Sequence, residues 1–135
     1  MANKISNHAV SIDFSVLFLR VFSSLFMLTH GYDKLLKIIS NDWSFANPIG
    51  LGEPNSLFLA VLAEFFCSIL VIIGLFTRPA LFILGITMVI IAFIVHKSDP
   101  IGDKEHALLF FIIYVTIFIT GPGKFSFDNR FFSKK

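Results

Sequence analysis

Residues 57–76 read LFLAVLAEFFCSILVIIGLF, an apolar run whose only formal charge is Glu64. An α-helix of about 20 residues is about 30 Å long, which matches the hydrocarbon core of a bilayer. The run therefore predicts a membrane-spanning helix with one carboxylate near its middle. A charge at mid-bilayer costs about 3 kcal/mol on insertion scales, so Glu64 requires a partner or a functional role.

The rest of the chain contains three further apolar stretches. We predict four spans, at residues 12–36, 57–76, 79–96 and 104–120, with Gly121-Pro122 ending the last. The composition agrees, since 56% of the 135 residues are hydrophobic and only 15% are charged. Soluble domains carry about 25% charged residues. The expected fold class is all-α, with residues 1–135 forming a single transmembrane domain, an integral membrane four-helix bundle.

The charges and the cysteine content exclude two classes of function. A formal net charge of +2, with scattered basic residues, argues against a nucleic-acid partner. The single cysteine, Cys67, excludes dithiol chemistry within one chain.

The basic residues also predict the orientation of the bundle. With four spans, both termini lie on one side of the membrane. That side would hold six basic residues and the other side four: Lys4, Arg78, Lys124, Arg130, Lys134 and Lys135 against Lys34, Lys37, Lys97 and Lys104. Because cytoplasmic segments are enriched in Lys and Arg, we expect both termini to be cytoplasmic.

A second charge, Arg20, interrupts the first apolar stretch. If this span begins near residue 12, Arg20 lies about 12 Å above the inner boundary and Glu64 about 18 Å above it. A pair between Arg20 and Glu64 is therefore expected, with Tyr114 capping it and Thr87 at a similar depth. The pair could simply fix the helix register. Alternatively, Arg20, Glu64 and Tyr114 could handle a proton or hold a polar ligand head.

A rim of polar residues is predicted at the outer ends of the spans. It consists of His30, Asp33, Lys34, His96, Glu105 and His106. Their spacing matches no compact metal motif, so no metal is assigned, although a metal site and haem ligation by His30 and His96 are alternatives. The rim could also be ordinary interfacial polarity. The ligand-binding interpretation is a headgroup site for a quinone or a similar amphiphile.

The order of these features resembles the DoxX family of small bacterial membrane proteins. The resemblance rests on Arg20, on residues 30–34 (HGYDK), on Glu64, on residues 74–78 (GLFTR) and on residues 121–128 (GPGKFSFD). It implies a four-helix protein of the bacterial cytoplasmic (inner) membrane, linked to respiratory or oxidative-stress redox systems. Pro-Ala after the Thr-Arg turn and Pro122 in the terminal glycine motif depart from the family pattern.

Three functions follow from the resemblance and from the polar residues. The first is a quinone-interacting or accessory subunit of a membrane oxidoreductase, which leaves open whether this chain itself catalyses a reaction. The second is a non-catalytic membrane scaffold that recruits a redox partner. The third is a carrier of a small molecule or lipid. The expected partners are membrane lipid and either a redox enzyme or further copies of this chain.

Overall fold

The computed structural model describes residues 2–133, with side chains from Asn7 onward. Within this part of the chain the regular structure is helical, and no strand occurs. This confirms the all-α expectation. The side chains of Lys4, Lys134 and Lys135, which entered the orientation argument, lie outside the described residues.

Six α-helices follow one another along the chain. They are α1 (Ala2–Ile39), α2 (Glu53–Val61), α3 (Ser68–Ile73), α4 (Thr77–Ile90), α5 (Ile101–Thr120) and α6 (Phe127–Phe132). A π-helical segment, Leu62–Cys67, joins α2 to α3 in one continuous helix, Glu53–Ile73, called here the second long helix. A second π-helical segment, Ile91–Val95, extends α4 into the third long helix, Thr77–Val95.

Three of these helices are long and apolar enough to cross a membrane: Asn7–Ile39, Glu53–Ile73 and Thr77–Val95. The fourth, α5, has 20 residues but carries Asp103, Lys104 and Glu105 near its start. Large apolar side chains cover the outside of the bundle, whereas Arg20 and Glu64 are buried inside it. An apolar exterior over a partly polar interior is the arrangement expected in lipid, so the chain is a multi-pass membrane protein.

Glycine and proline mark the helix ends: α5 ends at Thr120, as expected, whereas the second long helix ends at Ile73, three residues before the predicted end at residue 76. Gly74 adopts φ 73° at the end of α3, and Gly121 adopts φ 84° after α5. These left-handed conformations suit glycine, which has no Cβ. Pro79 lies in the first turn of α4, where its missing N–H removes no helical hydrogen bond. The first long helix differs from the prediction, since α1 continues on both sides of residues 12–36.

The helices pack as antiparallel neighbours around one core. Asp13 accepts a hydrogen bond from the Lys124 amide at 3.1 Å, so the beginning of α1 and the chain after α5 lie at the same end of the bundle. Met27 and Met88 are buried in this core and serve as packing residues.

The loop after α1 is held by local polar contacts. Lys37 pairs with Asp42 at 3.5 Å, and the indole of Trp43 donates to Asn41 at 2.9 Å. Hydrogen bonds from Ser44 hold the pKa of the exposed Asp42 carboxyl below its usual value.

Candidate functional site

Glu64 lies inside the bundle and pairs with Lys34. The Glu64 side chain is 2% exposed, and the Lys34 ammonium of α1 donates a hydrogen bond to its Oε2. Lys34 is 21% exposed, so its aliphatic stem covers the pair while the end of the side chain reaches the carboxylate. The pairing supplies the partner that a carboxylate at this depth requires.

Two backbone features make this contact close. Glu64 belongs to the π-helical segment Leu62–Cys67, and Gly31 of α1 packs directly against its backbone. A Cβ added at Gly31 would lie 2.5 Å from the carbonyl carbon of Glu64 and from the nitrogen of Phe65. Only glycine fits here, and this close approach brings Lys34, one turn further along α1, over the carboxylate.

The predicted pair between Arg20 and Glu64 is wrong. The Arg20 guanidinium instead donates to the backbone carbonyls of Pro122, of Phe125 at 2.7 Å and, more weakly, of Ile72 at 3.5 Å. The physical reason is the register of α1, which begins well before residue 12 and places Arg20 near one end of the bundle. From Arg20 to Gly31, which lies against Glu64, the rise along α1 is about 16 Å.

Arg20 and Asp128 hold the segment after α5 against α1 and against the turn between α3 and α4. The Asp128 carboxylate accepts hydrogen bonds from the amides of Phe76 at 2.7 Å and Thr77 at 2.8 Å, at the start of α4. Phe76 has φ 48°, an unusual conformation for a non-glycine residue. The Asp128 amide also donates to the Gly74 carbonyl at 2.8 Å. The motifs GLFTR and GPGKFSFD thus form one docking site for the C-terminal segment.

Tyr114 of α5 is a buried residue that lines a groove on the outer surface. The residue is 1% exposed, its hydroxyl has no hydrogen-bond partner among the described residues, and it lies within electrostatic reach of Glu64. The predicted capping hydrogen bond is therefore not formed. Thr87 does not join this layer either, because its hydroxyl donates to the Ile83 carbonyl at 2.9 Å.

The groove lies between α4 and α5 and has a volume of about 250 Å³. Its walls are apolar and include Leu81, Gly85, Ile86, Phe111, Tyr114 and Val115. The Ser24 and Ser68 hydroxyls in the interior are also buried without a partner among the described residues. Tyr114 therefore combines a buried hydroxyl without a partner among the described residues, a place in the lining of the apolar groove and electrostatic proximity to Glu64.

The predicted rim separates into two parts. His30 and His106 come together, with 3.2 Å between their Nε2 atoms. His96 instead pairs with Asp99, Nδ1 to Oδ2 at 2.7 Å, and does not join the pair of His30 and His106. Asp33 and Glu105 are exposed. No group of three or more potential ligands (His, Cys, Asp or Glu) that could hold a metal gathers in the part of the chain that the structure describes.

An aromatic row connects the histidine pair to Tyr114 along α5. The His106 and Phe110 ring centroids are 5.0 Å apart, and those of Phe110 and Tyr114 are 5.8 Å apart. The candidate site therefore consists of three parts: the exposed imidazole pair, the buried Lys34–Glu64 ion pair and the Tyr114 phenol, which has no hydrogen-bond partner among the described residues.

The known proteins that this chain matches agree with the fold and with the motifs. A family model described as DoxX matches residues 15–97, which include Arg20, Lys34, Glu64 and the turn at Arg78. The chain belongs to the DoxX family. The match ends before α5, so the DoxX segment packs against two elements that lie outside it, α5 and the C-terminal segment.

A relative of this DoxX protein covers more of the chain. It is an uncharacterized protein of Haemophilus influenzae, 34% identical over 125 residues, which represent 87% of this chain and 90% of the relative. No solved structure matches the chain.

Proposed function

We propose that this DoxX protein is a redox-linked membrane subunit that binds a quinone-like amphiphile, with Tyr114 and Glu64 facing the head group. The observation that carries the proposal is the buried Tyr114 hydroxyl, which has no partner among the described residues, in a residue that lines the apolar groove and lies within electrostatic reach of Glu64. A buried donor without a partner costs about 1–3 kcal/mol, and a ligand oxygen that accepts from it would recover this energy. A quinone offers such an oxygen on an apolar body.

Each residue has a defined task in this proposal. Tyr114 donates a hydrogen bond to the carbonyl oxygen of the head group, while Leu81, Ile86 and Phe111 contact the apolar part. Glu64, paired with Lys34, is the carboxylate assigned to accept a proton, since it lies within electrostatic reach of the phenol. The chain positions the quinone, and a partner oxidoreductase exchanges electrons with it.

Quinone binding tests the proposal directly. Saturable binding of a short-chain quinone to the purified protein in nanodiscs is expected. Tyr114→Phe removes only the hydroxyl and should weaken binding about tenfold, the equivalent of about 1.4 kcal/mol for one hydrogen bond. Thr87→Val is the matched control, because it removes a hydroxyl that is satisfied within its own helix.

Two results would count against the quinone site. One is the absence of saturable binding to the native protein. The other is equal binding by the native protein, Tyr114→Phe and Glu64→Gln while all three keep the same helical content by circular dichroism.

A second candidate function is a membrane scaffold for a redox enzyme. One face of α1 presents exposed aromatic rings at spacings of four residues: Phe14, Phe18, Phe22 and Phe26. The Phe18 and Phe22 ring centroids are 4.5 Å apart, so these rings form a continuous surface that a partner helix could contact. Affinity isolation from native membranes distinguishes the two functions. A scaffold would co-purify with a redox enzyme through this face, and Tyr114→Phe would leave the recovery unchanged.

We also propose that both termini lie in the cytoplasm and that the membrane is the bacterial inner membrane. The support is the cluster of Arg78, Lys124 and Arg130 at the end of the bundle where α1 begins, because such clusters favour the cytoplasmic side. Reporter fusions after residue 133 test the orientation. A reporter that is active only in the periplasm should stay inactive there.

A further inference from the structure

His30 of α1 and His106 of α5 face each other through their Nε2 atoms. These atoms are 3.2 Å apart, whereas the ring centroids are 5.0 Å apart and the ring planes are inclined by 85°. The Nε2 atoms are closer to each other than the ring centroids are, so the two rings approach through these nitrogens and do not stack.

This spacing is also that of two imidazoles on one metal ion. With metal–nitrogen distances of about 2.0–2.1 Å and tetrahedral angles, two ligating nitrogens lie about 3.3 Å apart. Imidazole suits divalent zinc, copper, nickel and iron. We propose that His30 and His106 form a binding site for a divalent late first-row transition-metal ion of the zinc class. This goes beyond the quinone proposal, does not depend on it, and departs from the expectation drawn from the sequence that no metal is bound.

A carboxylate that could serve as a third ligand lies beside the pair. Lys34, Glu64 and Asp33 act on His30 through their charges, and Lys34 and Glu64 are paired with each other, which leaves Asp33 as the available carboxylate. Asp33 is exposed, follows His30 by three residues and therefore shares its helix face. A change of its side-chain rotamer would bring a third ligand to the ion, and water would fill the remaining positions. Because only the two imidazoles are preformed, modest affinity is expected.

Metal binding to the full chain, purified with a tag that contains no histidine, tests the site. One equivalent of Zn²⁺ should bind in calorimetry, and Co²⁺ should give the visible absorption of a site with nitrogen ligands. His30→Gln and His106→Gln should each lower the affinity at least tenfold. His96→Gln is the matched control, because it removes an imidazole that is paired with Asp99 in the connection between the third long helix and α5, and it should bind like the native protein.

A second measurement does not depend on the variants folding well. A metal shared by α1 and α5 joins two helices, so a molar excess of Zn²⁺ should raise the melting temperature of the native protein. The gain should shrink as the pH falls, because protons compete with the metal for both rings. The proposal is overturned if the native protein binds no stoichiometric Zn²⁺, or if folded His30→Gln binds it unchanged. It is also overturned if Zn²⁺ binds without raising the melting temperature.

Discussion

Lys34 of α1 donates its hydrogen bond to Glu64 of the π-helical segment, and the close approach of Gly31 to the Glu64 backbone makes this possible. The pair is the most deeply placed ionic contact in the part of the chain that the structure describes. It combines a nearly inaccessible carboxylate with a cation that approaches from the rim. Its energetics can therefore be tested separately from any ligand.

Removing one partner of the Lys34–Glu64 pair should lower the free energy of unfolding far more than replacing both partners. Lys34→Met leaves a buried, unpaired carboxylate and should cost about 3–5 kcal/mol, whereas Lys34→Met with Glu64→Gln should recover most of that loss. Thermal unfolding in detergent measures both. The control is Lys37→Met, which breaks the exposed pair with Asp42 and should cost less than about 1 kcal/mol. Equal losses for Lys34→Met and Lys37→Met would contradict the burial argument.

Gly31→Ala should separate α1 from the second long helix. The new Cβ would meet backbone atoms of Glu64 and Phe65 at 2.5 Å, and backbone cannot rotate away as a side chain can. Such overpacking costs about 1–3 kcal/mol. Gly102→Ala is the matched control, since nothing lies within 4 Å of its added Cβ, and its effect should be small. If both variants melt at the native temperature, the close helix contact is wrong.

Arg20→Lys should loosen the C-terminal segment while preserving the charge. A lysine ammonium cannot reproduce the guanidinium fork that reaches the carbonyls of Pro122 and Phe125. Limited proteolysis with trypsin should then cut after the exposed Lys124 several-fold faster than in the native protein. Arg130→Lys, at an exposed position of α6, should leave that rate unchanged. Equal cleavage rates in the native protein and Arg20→Lys would show that Arg20 does not hold this segment.

Asp128→Ala should weaken the turn into α4. The variant loses the carboxylate that accepts from the Phe76 and Thr77 amides, and a lost helix-end contact of this kind costs about 2 kcal/mol. Hydrogen exchange by mass spectrometry should show faster exchange over residues 74–80 in particular. Asp33→Ala, which changes an exposed carboxylate elsewhere, should leave exchange in this segment at the native rate. Unchanged exchange in Asp128→Ala would contradict the docking described here.

Much of the fold follows from local sequence signals. The length of each apolar run predicts a helix, and Gly121-Pro122 marks the end of the last one. These signals depend on neighbours within one or two turns, so no tertiary information is needed to interpret them. The same reasoning places Glu64 near the middle of its helix and predicts that it needs a partner. His30, Lys34 and His106 were also assigned to one rim from their positions at the helix ends.

The identity of each partner depended on the tertiary structure. Arg20 and Lys34 are fourteen residues apart, share one face of α1 and differ in level by about 21 Å, so spacing alone allows either to face Glu64. The position of α1 along its axis, relative to the second long helix, determines that Lys34 and not Arg20 meets Glu64. This position is set by contacts between segments distant in sequence: Gly31 against Glu64, and Arg20 against Phe125. Hydropathy alone predicts which segments enter the membrane, because burial in lipid depends on each segment's own composition. Only the packed bundle decided which charges meet, because that depends on how far each helix slides along its neighbour.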